Sequence, residues 1–302
     1  MLKPTTIEKP AELLPFLFAS MPDVKKSKVR TWLKFQAVTV NGRAITQFNH
    51  PLVPGDVVAI RSGKNAASKS APGGGMRIWH EDSHLIVIEK PADLLSIASP
   101  DEPEKTAYFQ LTDYLRQGRP EGRERVWIVH RLDKETSGLM VFAKTPEVKE
   151  ALQSGWDDVE KRYEAVVDGH LREPKGTFEC HLDERNRFKV FVAPRSELTR
   201  HAVTHYRVLG ETRSRSLVEL TLETGRRHQI RVQLAHAGCP IIGDEKYDAK
   251  SNPAKRLGLH ATFLRFIHPA TNEEMSFTSP LPKSLAGIVP LVSKPARNPP
   301  PD

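Results

Sequence analysis

The segment His130-Arg131-Leu132-Asp133-Lys134-Glu135-Thr136-Ser137-Gly138 sets one carboxylate between an arginine and a polar turn, just before the apolar run Leu139 to Ala143. A carboxylate at the lip of a buried strand can act as a nucleophile or as a base, and both roles need it ionised. Partial burial opposes ionisation, so such a site requires a cation close by. Arginine suits this task, because its planar fork can hold a carboxylate through two hydrogen bonds. Residue type alone does not identify the partners. Arg231, in His228-Gln229-Ile230-Arg231, reads as a helix-surface arginine, and Tyr163, opening an apolar stretch after two basic residues, reads as a core tyrosine. Arg131 reads as a strand-end charge, and His130 as a packed structural histidine.

Other chemistries fit less well. His228, His236 and Asp244 invite a metal site, but the two histidines lie eight residues apart on one predicted helix and no His-Glu-x-x-His pair is present. No GxxxxGK[ST] or strand-linked GxGxxG loop occurs, so neither a metal nor a nucleotide cofactor is expected. Cys180 and Cys239 are too far apart for ligand spacing, which favours a reducing compartment and a cytoplasmic protein. No apolar segment reaches membrane-spanning length, and Glu8 and Glu12 interrupt any leader-like amino terminus.

The formal charge is +8 over 302 residues, and residues 1 to 64 hold ten Lys/Arg against four Asp/Glu, so most of the excess lies in the first fifth of the chain. A concentrated basic module points to a polyanionic partner. Residues 61 to 75, rich in Gly, Ser, Ala and Lys, have the composition of a flexible linker. The predicted organisation is a small domain over 1–62, a linker over 63–75, a large domain over 76–292 and a disordered proline-rich tail over 293–302.

In the small domain the spacing predicts a helix over 11–20 and a second beginning near Ser27, its N-cap, and running through Leu33. Lys26, Arg30 and Lys34 recur every four residues along one side, while Val29, Trp32 and Leu33 turn inward. Asn41-Gly42 predicts a hairpin, and Pro54-Gly55-Asp56 a turn into the strand 57–60. In the large domain strands are predicted at 78–80, 85–88, 127–129, 139–143, 163–167, 203–209, 217–222 and 263–267, with helices at 107–116, 146–153 and 228–236. Many strands with scattered helices imply an α+β fold with a large mixed, mainly antiparallel sheet.

Two resemblances follow. The two helices, the Val40-Asn41-Gly42-Arg43 turn and the Gly55-Asp56 turn resemble the S4 family of small RNA-binding domains. In the large domain, His130 to Thr145, Lys161-Arg162-Tyr163-Glu164-Ala165 and Thr224-Gly225-Arg226-Arg227-His228-Gln229-Ile230-Arg231, continuing to Gly243-Asp244, resemble the RluA class of pseudouridine synthases, with Glu89-Lys90-Pro91 upstream. Lys134 and Glu135 stand where Arg and Asp are more usual in that class, and both changes preserve charge.

The resemblance implies an isomerase that turns uridine in RNA into pseudouridine without cofactor or metal. Asp133 would be the catalytic residue, either attacking C1′ of the ribose or removing the 2′ proton so that a glycal forms. Arg231 would be its counter-ion, Tyr163 the base platform and an aid to proton removal from C5, and Ile230 the opposite wall of the pocket. Arg131 would fill the gap left by a flipped nucleotide. Lys26, Arg30 and Lys34 would bind phosphates, and the S4-like module favours ribosomal over transfer RNA. Two alternatives stand beside this reading: a transfer-RNA-directed enzyme, and a non-catalytic RNA-binding or ribosome-assembly protein on the same fold. The joint presence of Asp133, Tyr163 and Arg231 argues against the second. A monomer is expected.

Overall fold

The computed structural model describes residues 4–22, 24–34, 38–60, 72–98, 102, 104–116 and 124–290. In its amino-terminal part β1 (Thr5–Thr6), β2 (Ala11–Glu12), α1 (Leu13–Ser20), α2 (Lys26–Lys34), β3 (Val38–Val40), β4 (Arg43–Ala44), β5 (Pro51–Leu52) and β6 (Val57–Ile60) follow in order. Four of these strands pair in the order β1-β6-β3-β4, and β2 pairs with β5. Asn41 and Gly42 have φ of 52° and 78°, the left-handed pair that a two-residue hairpin turn demands. The Asn41 side chain then joins this turn to the next, donating to Asp56 Oδ1 at 2.7 Å and accepting from Val57 N at 2.9 Å. Val29, Trp32 and Leu33 pack with Leu13, Leu17, Val38 and Val58.

Two boundaries differ from the sequence reading. Ala11 and Glu12 pair with β5 rather than opening α1. Ser27 lies inside α2, because the carbonyl of Lys25 already accepts from Lys28 N and Val29 N, so Ser27 is not the cap. Residues 61–71 of the expected linker and the tail 293–302 lie outside the described residues.

The carboxy-terminal part contains β7 (Arg77–Glu81), β8 (Leu85–Lys90), α3 (Ala107–Arg116), β9 (Trp127–Ile128), β10 (Ser137–Ala143), α4 (Pro146–Ser154), β11 (Glu160–Asp168), β12 (Lys175–Asp183), β13 (Phe191–Ala193), β14 (Arg200–Glu211), β15 (Arg215–Leu222), α5 (Gln229–His236), β16 (Leu259–Ile267), β17 (Glu274–Thr278) and α6 (Lys283–Ala286). Among the described residues the strands form one eleven-stranded sheet, ordered β13-β12-β14-β15-β11-β16-β10-β8-β7, with β17 on β16 and β9 on β10. Only the β10–β16 pair within it is parallel. The fold is therefore α+β with a large mixed, mainly antiparallel sheet.

The continuous apolar runs of β8 and β10 reflect burial on both faces. Leu85, Val87, Leu139 and Val141 join Val148 and Leu152 of α4 on one face, whereas Ile86, Ile88, Met140 and Phe142 join Ala107 and Leu111 of α3 on the other. This is the two-residue alternation of a strand, and each such side chain contributes about 1.5–3 kcal/mol on burial. Thr145 caps α4 through its hydroxyl, with Pro146 in the first turn. Gly138 allows β10 and β16 to meet: its φ is 124°, and a Cβ there would lie 2.4 Å from the carbonyl oxygen of Ala261. The strand β12, not anticipated from the sequence, mixes Lys, Glu, His and Asp into its alternation and buries only Leu182 fully.

Candidate active site

Asp133 stands on the loop between β9 and β10, and that loop is fixed on both sides of it. Ser96 Oγ donates to Leu132 O at 2.6 Å and accepts from Leu132 N at 3.1 Å. Lys90, fully buried, donates from Nζ to Lys134 O at 3.0 Å and to the carbonyls of Pro91 and Leu94. Burial pushes the Lys90 ammonium down to about 7, while the charge of Asp133 works in the opposite direction. His130 accepts from Val141 N at 3.1 Å and stacks on Trp156, so it has the packed structural part that its sequence context gave it. The Asp133 backbone closes a turn by accepting from Thr136 N.

Arg231 approaches from α5, whose first residue follows His228, a non-glycine with φ of 52°. The guanidinium is buried, and its fork is taken by Asp244: Nε to Oδ2 at 2.8 Å and Nη2 to Oδ1 at 2.7 Å. Its remaining Nη1 faces Asp133 Oδ2 at 3.3 Å and Glu135 Oε2 at 3.2 Å. The two-bond grip thus belongs to Asp244 rather than to Asp133, which corrects the simplest reading of the arginine fork. Burial works against the Arg231 charge, but Asp244, Asp133 and Glu135 together outweigh it and raise the pKa further. Asp244, weighed in the sequence only as a metal ligand, orients the arginine instead. Its signal was its place at the end of the third motif, not its residue type.

Arg131, Asp133, Tyr163, Ile230 and Arg231 line a single cavity of about 170 Å³ together with Arg226, Arg227 and His228. Arg131 is exposed at this cavity, whereas Tyr163 is half-buried on β11. Burial, followed by the charge of Asp133, pushes the Tyr163 phenol above its usual range and keeps it protonated. Ile230 is buried and also packs with Leu220 and Leu259. His228 is neutral, since burial pushes its pKa down to about 4, and its Nδ1 lies 3.0 Å from the hydroxyl of Tyr247. Glu135, which the sequence marks only as a charge-preserving departure within its motif, and His228, which it offers only as a metal ligand, stand beside Arg231 and at the cavity respectively.

Lys26 and Arg30 do not line this cavity. Both are exposed on α2, flanking the Phe18 ring at 5.5 and 5.3 Å. Lys34 closes the helix, and its side chain lies outside the described ones.

Comparison with known proteins identifies the family. Residues 84–236, half of the chain, match the family described as RNA pseudouridylate synthase. The chain is 33% identical over 287 residues to the ribosomal large subunit pseudouridine synthase D of Escherichia coli O6:H1, covering 89% of this chain and 86% of that protein. It is 33% identical over 289 residues to the uncharacterized RNA pseudouridine synthase YlyB of Bacillus subtilis, covering 93% and 94%. Among solved structures, human RNA pseudouridylate synthase domain containing 4 superposes with a TM-score of 0.57 at 30% identity, over 69% of this chain and 89% of that one. No helix among the described residues is long and apolar enough to cross a membrane. The chain belongs to the RNA pseudouridylate synthase family and is an isomerase that acts on RNA.

Proposed function

We propose that this enzyme isomerises uridine in large-subunit ribosomal RNA and that Asp133 performs the chemistry. The reaction breaks the N1–C1′ bond, turns the base, joins C5 to C1′ and releases the C5 proton to solvent as N1 gains one. It has no net redox change, so it needs no external oxidant or reductant. The observation that carries the reading is one ionisable carboxylate on the cavity wall, 19% exposed, 3.3 Å from an arginine whose other nitrogens are occupied. Such a carboxylate is oriented by the arginine and still has lone pairs to use.

In this reading Arg231 holds the direction of Asp133, and Asp244 holds Arg231. Tyr163 stacks on the uracil, because every base offers a π face, and Ile230 supports the opposite wall. Arg131, exposed at the cavity, fills the space vacated by the flipped nucleotide, a step that offsets part of an unstacking cost of about a few kcal/mol. Lys26, Arg30 and Lys34 contact phosphates from the S4-like module. The ribosomal target rests on the relative from Escherichia coli, which acts on the large subunit by name.

The test is tritium release from unmodified large-subunit ribosomal RNA transcribed with [5-³H]uridine. The wild type should release tritium, and Asp133→Asn should not while binding the same RNA. A wild type inactive on this RNA but active on transfer RNA would move the target, and one inactive on both would remove the catalytic reading.

A further inference from the structure

Phe188 is 73% exposed, more than any other large hydrophobic residue among those described, and Phe191 and Leu198 nearby are 47% and 60% exposed. An isolated exposed leucine is ordinary, but a phenylalanine that far from cover is informative. It lies in the loop 184–190 between β12 and β13, whose last paired residues are Asp183 and Phe191. The loop is tightly built. Asn186 Oδ1 accepts from Phe188 N at 2.8 Å and from Lys189 N at 3.1 Å, and Arg185 forks onto Asp183. Val190 is fully buried with Leu182 and Tyr247, so the chain turns inward two residues after Phe188.

The loop is also tied to the catalytic cavity at two points. Arg227, which lines the cavity, donates from Nη1 to Arg187 O at 2.6 Å, from Nη2 to Glu184 O at 2.9 Å and from its backbone N to Glu184 Oε1 at 2.7 Å. Val190 N donates to the Tyr247 hydroxyl at 3.0 Å, and that hydroxyl meets Nδ1 of His228, another cavity residue. Two arginine-bearing elements therefore flank one opening. Residues 183 to 200 carry five Lys/Arg against three Asp/Glu, and Arg131, Arg226 and Arg227 line the cavity beside them. Arg187 places its guanidinium 6.0 Å from the Phe188 ring.

We propose that the 184–190 loop is a preformed RNA-docking finger in which Phe188 stacks on an unpaired base beside the nucleotide that enters the cavity. The inference rests on the reading that RNA is modified at Asp133. A phenylalanine has two side-chain torsions to fix and the backbone beneath it is already fixed, so stacking costs little entropy. Positive charge around an exposed ring suits a base and its phosphate better than an apolar protein surface. The loop contributes affinity and register, and the chemistry stays with Asp133.

Steady-state tritium release from the [5-³H]uridine-labelled ribosomal RNA tests this in the full-length protein. Phe188→Ala should raise KM about ten-fold with kcat unchanged, the loss expected for one base–aromatic stack, and Phe188→Tyr should restore KM to within about two-fold. An unchanged KM in Phe188→Ala would overturn the proposal, as would an equal loss in Phe188→Tyr or a fall in kcat alone. A concentration-dependent dimer of the wild type that Phe188→Ala abolishes, with KM unaltered, would assign the ring to a protein contact instead. Failure of the underlying reading looks different, because the wild type itself would then release no tritium.

Discussion

Asp82 and Asp133 occupy equivalent positions at opposite ends of two neighbouring strands. Asp82 precedes β8 and Asp133 precedes β10, and these strands run antiparallel, with Leu85 opposite Ala143 and Lys90 opposite Gly138. Both carboxylates are partly buried beside cationic or titratable neighbours. They differ in how many lone pairs the protein has already used. Asp82 accepts from His84 N at 2.6 Å, Leu85 N at 2.9 Å, His80 Nε2 at 2.8 Å and His268 Nε2 at 3.0 Å. Among the described residues, the Asp133 side chain accepts one bond, from Arg231. A saturated carboxylate builds a turn, and an unsaturated one at a cavity has capacity left for a substrate.

The Asp82 cluster could be mistaken for a metal centre, since the ligand atoms of Asp82, His84 and His268 lie within 4.8 Å of one another. Hydrogen bonding decides against that reading of His268. Its Nδ1 accepts from Ala270 N at 3.1 Å and Thr271 N at 3.0 Å, which places the proton on Nε2, facing Asp82. The ring donates there and has no lone pair to offer a cation.

The largest effect that sharpens this contrast is Asp133→Asn, which should lower turnover by at least on the order of 10³-fold with the melting temperature almost unmoved. A stability loss as large as the activity loss, read by calorimetry, would erase the distinction between the two aspartates. Asp82→Ala should show the reverse. It strands two backbone N–H groups and should cost about 3 kcal/mol in denaturant titrations while kcat survives in the folded fraction. The pH dependence carries the same sign. Hydrogen bonds from His268, His80 and two backbone amides overcome burial and hold the Asp82 carboxyl well below its usual range. Its contribution is therefore complete above the unfolded carboxylate value of about 4 and is lost as pH falls further. An Asp82→Asn protein should lose stability less steeply than wild type below that pH, and parallel curves would contradict this.

Asp244 falls between the two cases, because its carboxylate is committed to Arg231 through two bonds and so serves the unsaturated one. Asp244→Asn keeps the shape yet loosens the hold on Arg231, and a displaced arginine should cost about 10²-fold in kcat with a smaller change in KM. If KM carried the loss instead, Asp244 would belong to RNA binding.

The sequence disclosed these parts unequally. The strands β8 and β10 were legible because unbroken apolar runs leave little alternative to two-sided burial. The pocket members Asp133, Tyr163 and Arg231 were legible only through their motifs, since residue type assigned Tyr163 to the core and Arg231 to the surface. The bidentate partner of Arg231 was not legible at all. Charge alone cannot say which of Asp133, Glu135 and Asp244 the fork will face when all three converge from different segments. The start of α2 was misplaced for a related reason: Ser27 has the right side chain for a cap, but the carbonyl of Lys25 had already begun the helix.

The same test of occupancy applies to cations and gives the smallest predicted effect. Lys90 is surrounded by three carbonyls and Arg231 by three carboxylates, so neither has capacity for a phosphate. Lys26 and Arg30 are exposed and touch the face of Phe18, which leaves their N–H groups to solvent. Two phosphate contacts made there would each release counterions, so Lys26→Ala with Arg30→Ala should weaken RNA binding most at low salt. The slope of log affinity against log salt should become shallower by roughly one to two. Turnover at saturating RNA should stay as it was, because neither residue lines the cavity. A parallel drop in affinity at every salt concentration would mean that the two side chains support the small domain rather than grip phosphate.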